Sequence, residues 1–182
     1  MIIDTGRVNF FLDGLGLTPC ETCGLLQRIS DSGEIRTDTY STGGVVRELE
    51  EEFARLLGKE AALFMPSGTL ANHIALRQIS RNLPRILVQH TAHIYRDSGD
   101  CMQQLSGKNL IPLVSPSMEA EAAFTLDQVR AVAEATSGGK VATGIGAISM
   151  ESPVRRLNGT VFPRAYRSSP RWGAASHRLR LL

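Results

Sequence analysis

The chain has 182 residues, 20 Lys+Arg against 18 Asp+Glu, and a formal net charge of +2. That length suits one ordinary domain burying roughly 70% of its unfolded surface, and 42% hydrophobic with 21% charged residues excludes a disordered or fibrous chain. No apolar run approaches the ~20 residues of a membrane helix, the N-terminus lacks the basic-then-apolar order of a signal peptide, and the 3 cysteines are too few for a disulfide scaffold. A soluble cytoplasmic protein is therefore expected, with neither membrane nor nucleic acid as partner.

Cys20-Glu21-Thr22-Cys23 is the first motif, a C-x-x-C that suits a thioredoxin-like pair or half a zinc site. No second C-x-x-C exists, and Cys101 plus a histidine would be needed for four ligands, so neither metal nor redox chemistry is expected of this motif. Residues 44–60 follow as an amphipathic helix, with Val45, Val46, Leu49, Phe53, Leu56 and Leu57 on one stripe. Arg47 with Glu51 and Glu51 with Arg55 are opposite-charge pairs on its outer side. Gly58 suits the stop, and Glu48, Glu50, Glu51 and Glu52 read as a solvated face.

Residues 61–65 (AALFM) read as a short buried strand, Pro66-Ser67-Gly68-Thr69 as a turn, and 70–80 as a second helix. Further strands are expected at 85–89 (RILVQ), at 110–114 with Pro112 interrupting, and at 147–151, which Ser152-Pro153 ends. Thr125-Leu126-Asp127-Gln128 has the form of a capping box and opens a helix with Leu126, Val129, Val132 and Ala133 on one face. Strands alternating with helices argue for an α/β fold built of βαβ units on a parallel sheet.

Ligands of such sheets bind where strands end and helices begin, which singles out Ser67-Gly68-Thr69, residues 90–97 and residues 151–159. At the first, unpaired N–H groups of a helix start, a glycine and two hydroxyls suit a phosphate; a plain N-cap by Ser67 or Thr69 is the alternative. The spacing is not that of a Walker A loop. His93, just after a strand, could stack on a flat ligand or relay a proton, or be an ordinary loop histidine. Arg155 and Arg156 could hold a carboxylate or face water.

Taken together, residues 40–76 (YSTGGVVRELEEEFARLLGKEAALFMPSGTLANHIAL), Ala92-His93-Ile94-Tyr95 and Ile148-Ser149-Met150-Glu151-Ser152-Pro153 resemble the threonine aldolase / β-eliminating lyase family. The resemblance covers residues 8–163. It implies the large α/β domain of fold type I pyridoxal 5'-phosphate enzymes, present here in part, and a lyase cleaving a β-hydroxy or β-substituted amino acid. It further implies that Ser67, Gly68 and Thr69 bind the cofactor phosphate, that His93 lies over the cofactor ring, and that Glu151 stands near the substrate. Arg156, with Arg155, becomes a possible carboxylate partner. Asp13 falls near the family's substrate-binding Ser-Asp segment, although Leu12 replaces the serine. Relatives of this kind are homo-oligomers with sites built between subunits, so the chain alone should be poorly stable or depend on association.

Such enzymes need a lysine that bonds the cofactor and an aspartate on its pyridine nitrogen. This chain has only Lys59, Lys108 and Lys140, none at the family position, and the family's Asp-Gly-Ala-Arg segment is not seen after Pro163. Residues 164–182 carry 5 Arg, no Lys, no acid and the only Trp, without helical or strand periodicity. Residues 1–163 are expected to be the N-terminal part of the lyase domain and 164–182 a basic tail, introduced by a frame change or truncation of the coding sequence or, alternatively, a genuine tail that binds an acidic partner. Residues 1–163 hold 15 basic and 18 acidic side chains, so the mild overall charge joins an acidic body to a basic end. A non-catalytic protein that binds a phosphate ligand or another subunit is the alternative function.

Overall fold

The first described element is a helix that sequence periodicity does not predict. In this computed structural model, which describes residues 16–35, 39–40, 43–115, 122–138 and 140–163 and the backbone of Arg180–Leu181, α1 spans Pro19–Asp31. Thr18 accepts the Glu21 N–H at 3.3 Å, while Glu21 accepts the Thr18 N–H at 2.8 Å. With Pro19 at the first helical position, this reciprocal cap was legible in the sequence.

The chain divides into two compact units, Met1–Phe64 and Met65–Leu182. The first holds α1 and α2 (Gly44–Leu57), and α2 stops at the expected Gly58, which takes a left-handed φ of 60°. Arg47 pairs with Glu51 at 2.8 Å, but Arg55 turns to Glu52 rather than Glu51. Glu50 leaves the solvated set and accepts the Phe64 N–H at 2.7 Å. The apolar stripe forms, yet only Ala54 in this helix is buried; Phe53 is 48% and Leu56 61% exposed. Residues 61–65 are not a strand. An apolar run supplies side chains for a core, but a strand also needs a neighbouring backbone to bond, and no described strand pairs with it.

The second unit is built on four parallel strands in the order β2-β1-β3-β4: β1 Arg85–Gln89, β2 Asn109–Leu113, β3 Ile145–Ser149 and β4 Arg180–Leu181. Pro112 is tolerated because, among the described residues, β2 pairs with β1 alone. β3 begins two residues before the expected 147 and ends at Ser149. β4 lies in the tail where no strand periodicity is visible, so its pairing follows from the open edge of β3 rather than from a side-chain pattern.

Helices cover both faces of the sheet. On one side α3 (Gly68–Ser80), α4 (His93–Arg96) and α5 (Cys101–Ser106) bring Leu76, Ile94 and Met102 against Ile86, Val88 and Ala147. On the other, α6 (Leu126–Ser137) brings Leu126 and Val129 against Leu87, Ile145 and Ile148, with Phe124 and Phe162 packed edge to face at 5.5 Å. Thr125 and Gln128 form the expected capping box of α6. His73 in α3 meets the Ser106 hydroxyl of α5 at 2.8 Å, joining two helices of one layer.

Candidate active site

The short connection from α3 to β1 runs the helix antiparallel to the strand, so the N-terminus of α3 lies toward the strands' carboxyl edge. At that edge a cavity of about 330 Å³ is lined by Asn72 and Leu76 of α3, His93 of α4, and Ser149, Glu151 and Arg155 at and beyond the end of β3. This is the size and place of a small-molecule site. Gly68, Asn72 and Leu76 are four residues apart and share one row of the helix.

Ser67 N-caps α3, its hydroxyl accepting the Leu70 N–H at 3.2 Å. Ser67 is thus an N-cap, and its hydroxyl takes up the Leu70 N–H without engaging those of Gly68 and Thr69. The N–H groups of Gly68 and Thr69 precede the helical ladder, and nothing lies within 4 Å of where a Gly68 Cβ would stand. Asp13 lies outside the described residues.

Glu151 is a brace as much as a candidate acid. Its two carboxylate oxygens accept the His93 N–H at 2.5 Å and the Arg155 N–H at 2.9 Å. Its own backbone is held by Gln89, a buried amide at the end of β1. Gln89 Oε1 accepts the Glu151 N–H at 2.8 Å, and its Nε2 donates to the carbonyls of Glu151 at 2.9 Å and Ala122 at 3.0 Å. The Ser152-Pro153 peptide that follows is cis.

His93 Nδ1 is buried without a hydrogen bond and stands 3.6 Å from Asp97 Oδ2. Asp97 is gripped by Arg156, whose Nε reaches both carboxylate oxygens at 3.1 Å and whose Nη2 also donates to Oδ1. Arg155 thus lines the cavity, while Arg156 is engaged with Asp97. Gln89 and Asp97 were not singled out by the sequence, and Asn72 enters only within the matching run 40–76; a polar residue closing the buried run RILVQ was the available signal for Gln89.

The Arg156 hydrogen bond, opposed by burial and aided by the Arg156 and His93 charges, holds the Asp97 carboxyl below the usual aspartate range. A carboxyl depressed in the folded state stabilises fully above the unfolded-state value of about 3.9 and ceases to as pH falls through the lower folded value. Denaturant unfolding from pH 7 to pH 3 should therefore show wild type more stable than Asp97→Asn above about pH 4, with the difference shrinking below it. A difference that stays constant across the range would contradict the pairing.

The three lysines lie elsewhere. Lys108 is buried at the entry of β2, where its Nζ donates to the carbonyls of Arg81 and, at 3.0 Å, Leu83. That is the amino edge of the sheet, opposite the cavity. Lys59 and Lys140 are exposed.

These features define an α/β chain with a small-molecule cleft at the carboxyl edge of a parallel sheet. The sequence profile described as Beta-eliminating lyase matches residues 33–182, and the chain belongs to that family. The match continues past Pro163, where the sequence reading ends its resemblance. The low specificity L-threonine aldolase of Saccharomyces cerevisiae is 33% identical over 116 residues, 63% of this chain and 28% of that protein. The low specificity L-threonine aldolase of Escherichia coli (strain K12) is 40% identical over 58 residues, 32% of this chain and 17% of that protein. Leishmania major threonine aldolase superposes with a TM-score of 0.70 at 14% identity, over 92% of this chain and 46% of that one, which shows a shared fold. The matched stretches span less than a third of these curated relatives and under half of the solved structure.

Proposed function

We propose that the chain is a pyridoxal 5'-phosphate-dependent lyase of amino-acid metabolism, cleaving a β-hydroxy or β-substituted amino acid in the manner of a threonine aldolase. The observation that carries this reading is the cavity that joins His93, Glu151 and the row leading back to Gly68 at one sheet edge. The phosphate end fits: Gly68 and Thr69 offer free N–H groups, Ser67 and Thr69 offer hydroxyls, and the bare Gly68 allows close approach. When bound, the cofactor supplies an electron-withdrawing ring that weakens bonds at the amino acid's α-carbon.

The chain's own residues hold and orient. The His93 imidazole can pack on a flat ring, and Asp97 beside Nδ1 favours a proton there, leaving Nε2 to accept or return one at the substrate. Glu151 fixes the His93 backbone, Arg155 faces a carboxylate, and Arg156 acts through Asp97. No lysine lines the cavity among the described residues, so no covalent step is assigned to a residue here. A homo-oligomer working in the cytoplasm is part of the proposal; the open stripe of α2 supports association, and no described helix is long and apolar enough to cross a membrane.

The test is equilibrium dialysis of the full chain against pyridoxal phosphate, with an aldehyde-release assay on threonine. Saturable binding at one site, weakened about tenfold or more by His93→Ala, is expected; each tenfold is about 1.4 kcal/mol of binding. Absence of saturable binding by a chain whose circular dichroism shows it folded would sink the reading. A second reading, a phosphate-ligand-binding or subunit-interaction protein without lyase chemistry, is favoured by the absence of lysine from the cavity lining among the described residues. Saturable binding without aldehyde release, and without one borohydride-trapped lysine, would select it.

A further inference from the structure

Cys20 and Cys23 take no part in the site above. Both are free and exposed in the first turns of α1, whereas Cys101 is partly buried in α5. Three residues of α-helix rise about 4.5 Å and turn back about 60°, which places their Cα atoms about 5 Å apart. Disulfides span about 4.4–6.8 Å between Cα atoms, so the backbone spacing already suits a bridge.

The side chains need a small adjustment. Helical neighbours at this spacing have Cβ atoms about 5–6 Å apart, and a disulfide brings them to about 3.8 Å. The first turn can tighten to supply the difference, because 3-10 geometry is common at helix N-termini and eclipses residues three apart. Pro19 sets the entry of that turn, and the Thr18–Glu21 cap spans it.

We propose that Cys20 and Cys23 are a redox-active dithiol that closes reversibly to an intrahelical disulfide by exchange with a low-molecular-weight disulfide. One cysteine, as thiolate, attacks the small disulfide, forms a mixed disulfide and releases one small thiol. The other then gives its proton to solvent and attacks the first cysteine's sulfur, releasing the second small thiol. Two protein thiols are oxidised and one external disulfide is reduced to two thiols, so atoms and electrons balance. Exposure and the tightened turn make the bridge an easily reduced one, as labile regulatory disulfides are.

The test equilibrates the native full chain with oxidised and reduced glutathione, quenches with acid, alkylates free thiols and maps tryptic peptides. Residues 8–28 form one peptide holding both cysteines and separate from Cys101. Under oxidising ratios this peptide should lose about 2 Da and take no alkyl label, and dithiothreitol should restore it. Cys20→Ser should instead leave Cys23 as a lasting glutathione adduct. Two alkylated thiols, two separate glutathione adducts, or a bridge between chains or to Cys101 would each overturn the proposal.

Discussion

Replacing Gln89 by Leu should destabilise the protein by about 2–4 kcal/mol, the cost of leaving buried backbone groups unpaired. One amide side chain satisfies an N–H and a carbonyl of Glu151 and the carbonyl of Ala122, and it is 1% exposed. Leucine fills similar space but strands all three groups away from water. The effect should reach the site, because Glu151 positions the His93 N–H and loses its own anchor. Urea unfolding and pyridoxal phosphate binding should therefore fall together, with binding down about tenfold or more. Gln89→Glu separates donor from acceptor. Its ionised carboxylate faces two carbonyls, so this variant should recover relative to Gln89→Leu as pH falls from 7 to 5 and the acid becomes a donor. Equal behaviour of the two variants at both pH values would count against the network.

Gly146→Val should cost about 3 kcal/mol or more, at the upper end of overpacking effects. A Cβ at Gly146 would stand 2.6 Å from the Ser80 carbonyl oxygen, 2.7 Å from its Cβ and 2.8 Å from its Cα. Two of those atoms are backbone at the end of α3, so relief requires moving the helix off β3. The pairing of β1 with β3 shifts register here, Arg85 facing Ile145 and Ile86 facing Ala147, which leaves Gly146 as the extra residue. Gly144 provides the control. A Cβ there meets the Leu83 side chain at 2.8 Å, and Leu83 is 45% exposed and free to turn away. Thermal unfolding should place Gly144→Ala near wild type and Gly146→Ala well below it. Ser80→Gly should rescue Gly146→Ala only in part, since the carbonyl contact remains. A Gly146→Ala variant within about 0.5 kcal/mol of wild type would refute the close approach.

Much of the fold was readable because it is local. The strand RILVQ, the capping box before α6 and the stop at Gly58 each depend on a few neighbouring residues. Residues 61–65 have a strand-like run without forming a strand, because a strand is a relation between two backbones, and β4 forms without such a run for the same reason in reverse. In the site, the junction after β1 and the run ending in Glu151 were legible by the strand-end rule. Their partnership was not, because His93 and Glu151 are 58 residues apart and their contact runs from a backbone N–H to a carboxylate.

The sequence by itself determined the α/β alternation, the ends of its best helices and the lack of a fourth lysine. Only the tertiary structure decided that Gln89 ties β1 to β3, that Asp97 stands between His93 and Arg156, and that Lys108 is spent on carbonyls at the far edge of the sheet. The physical reason is burial. A polar group removed from water must find its partner in space, and that partner is chosen by how strands and helices stack rather than by which residue stands next in the chain.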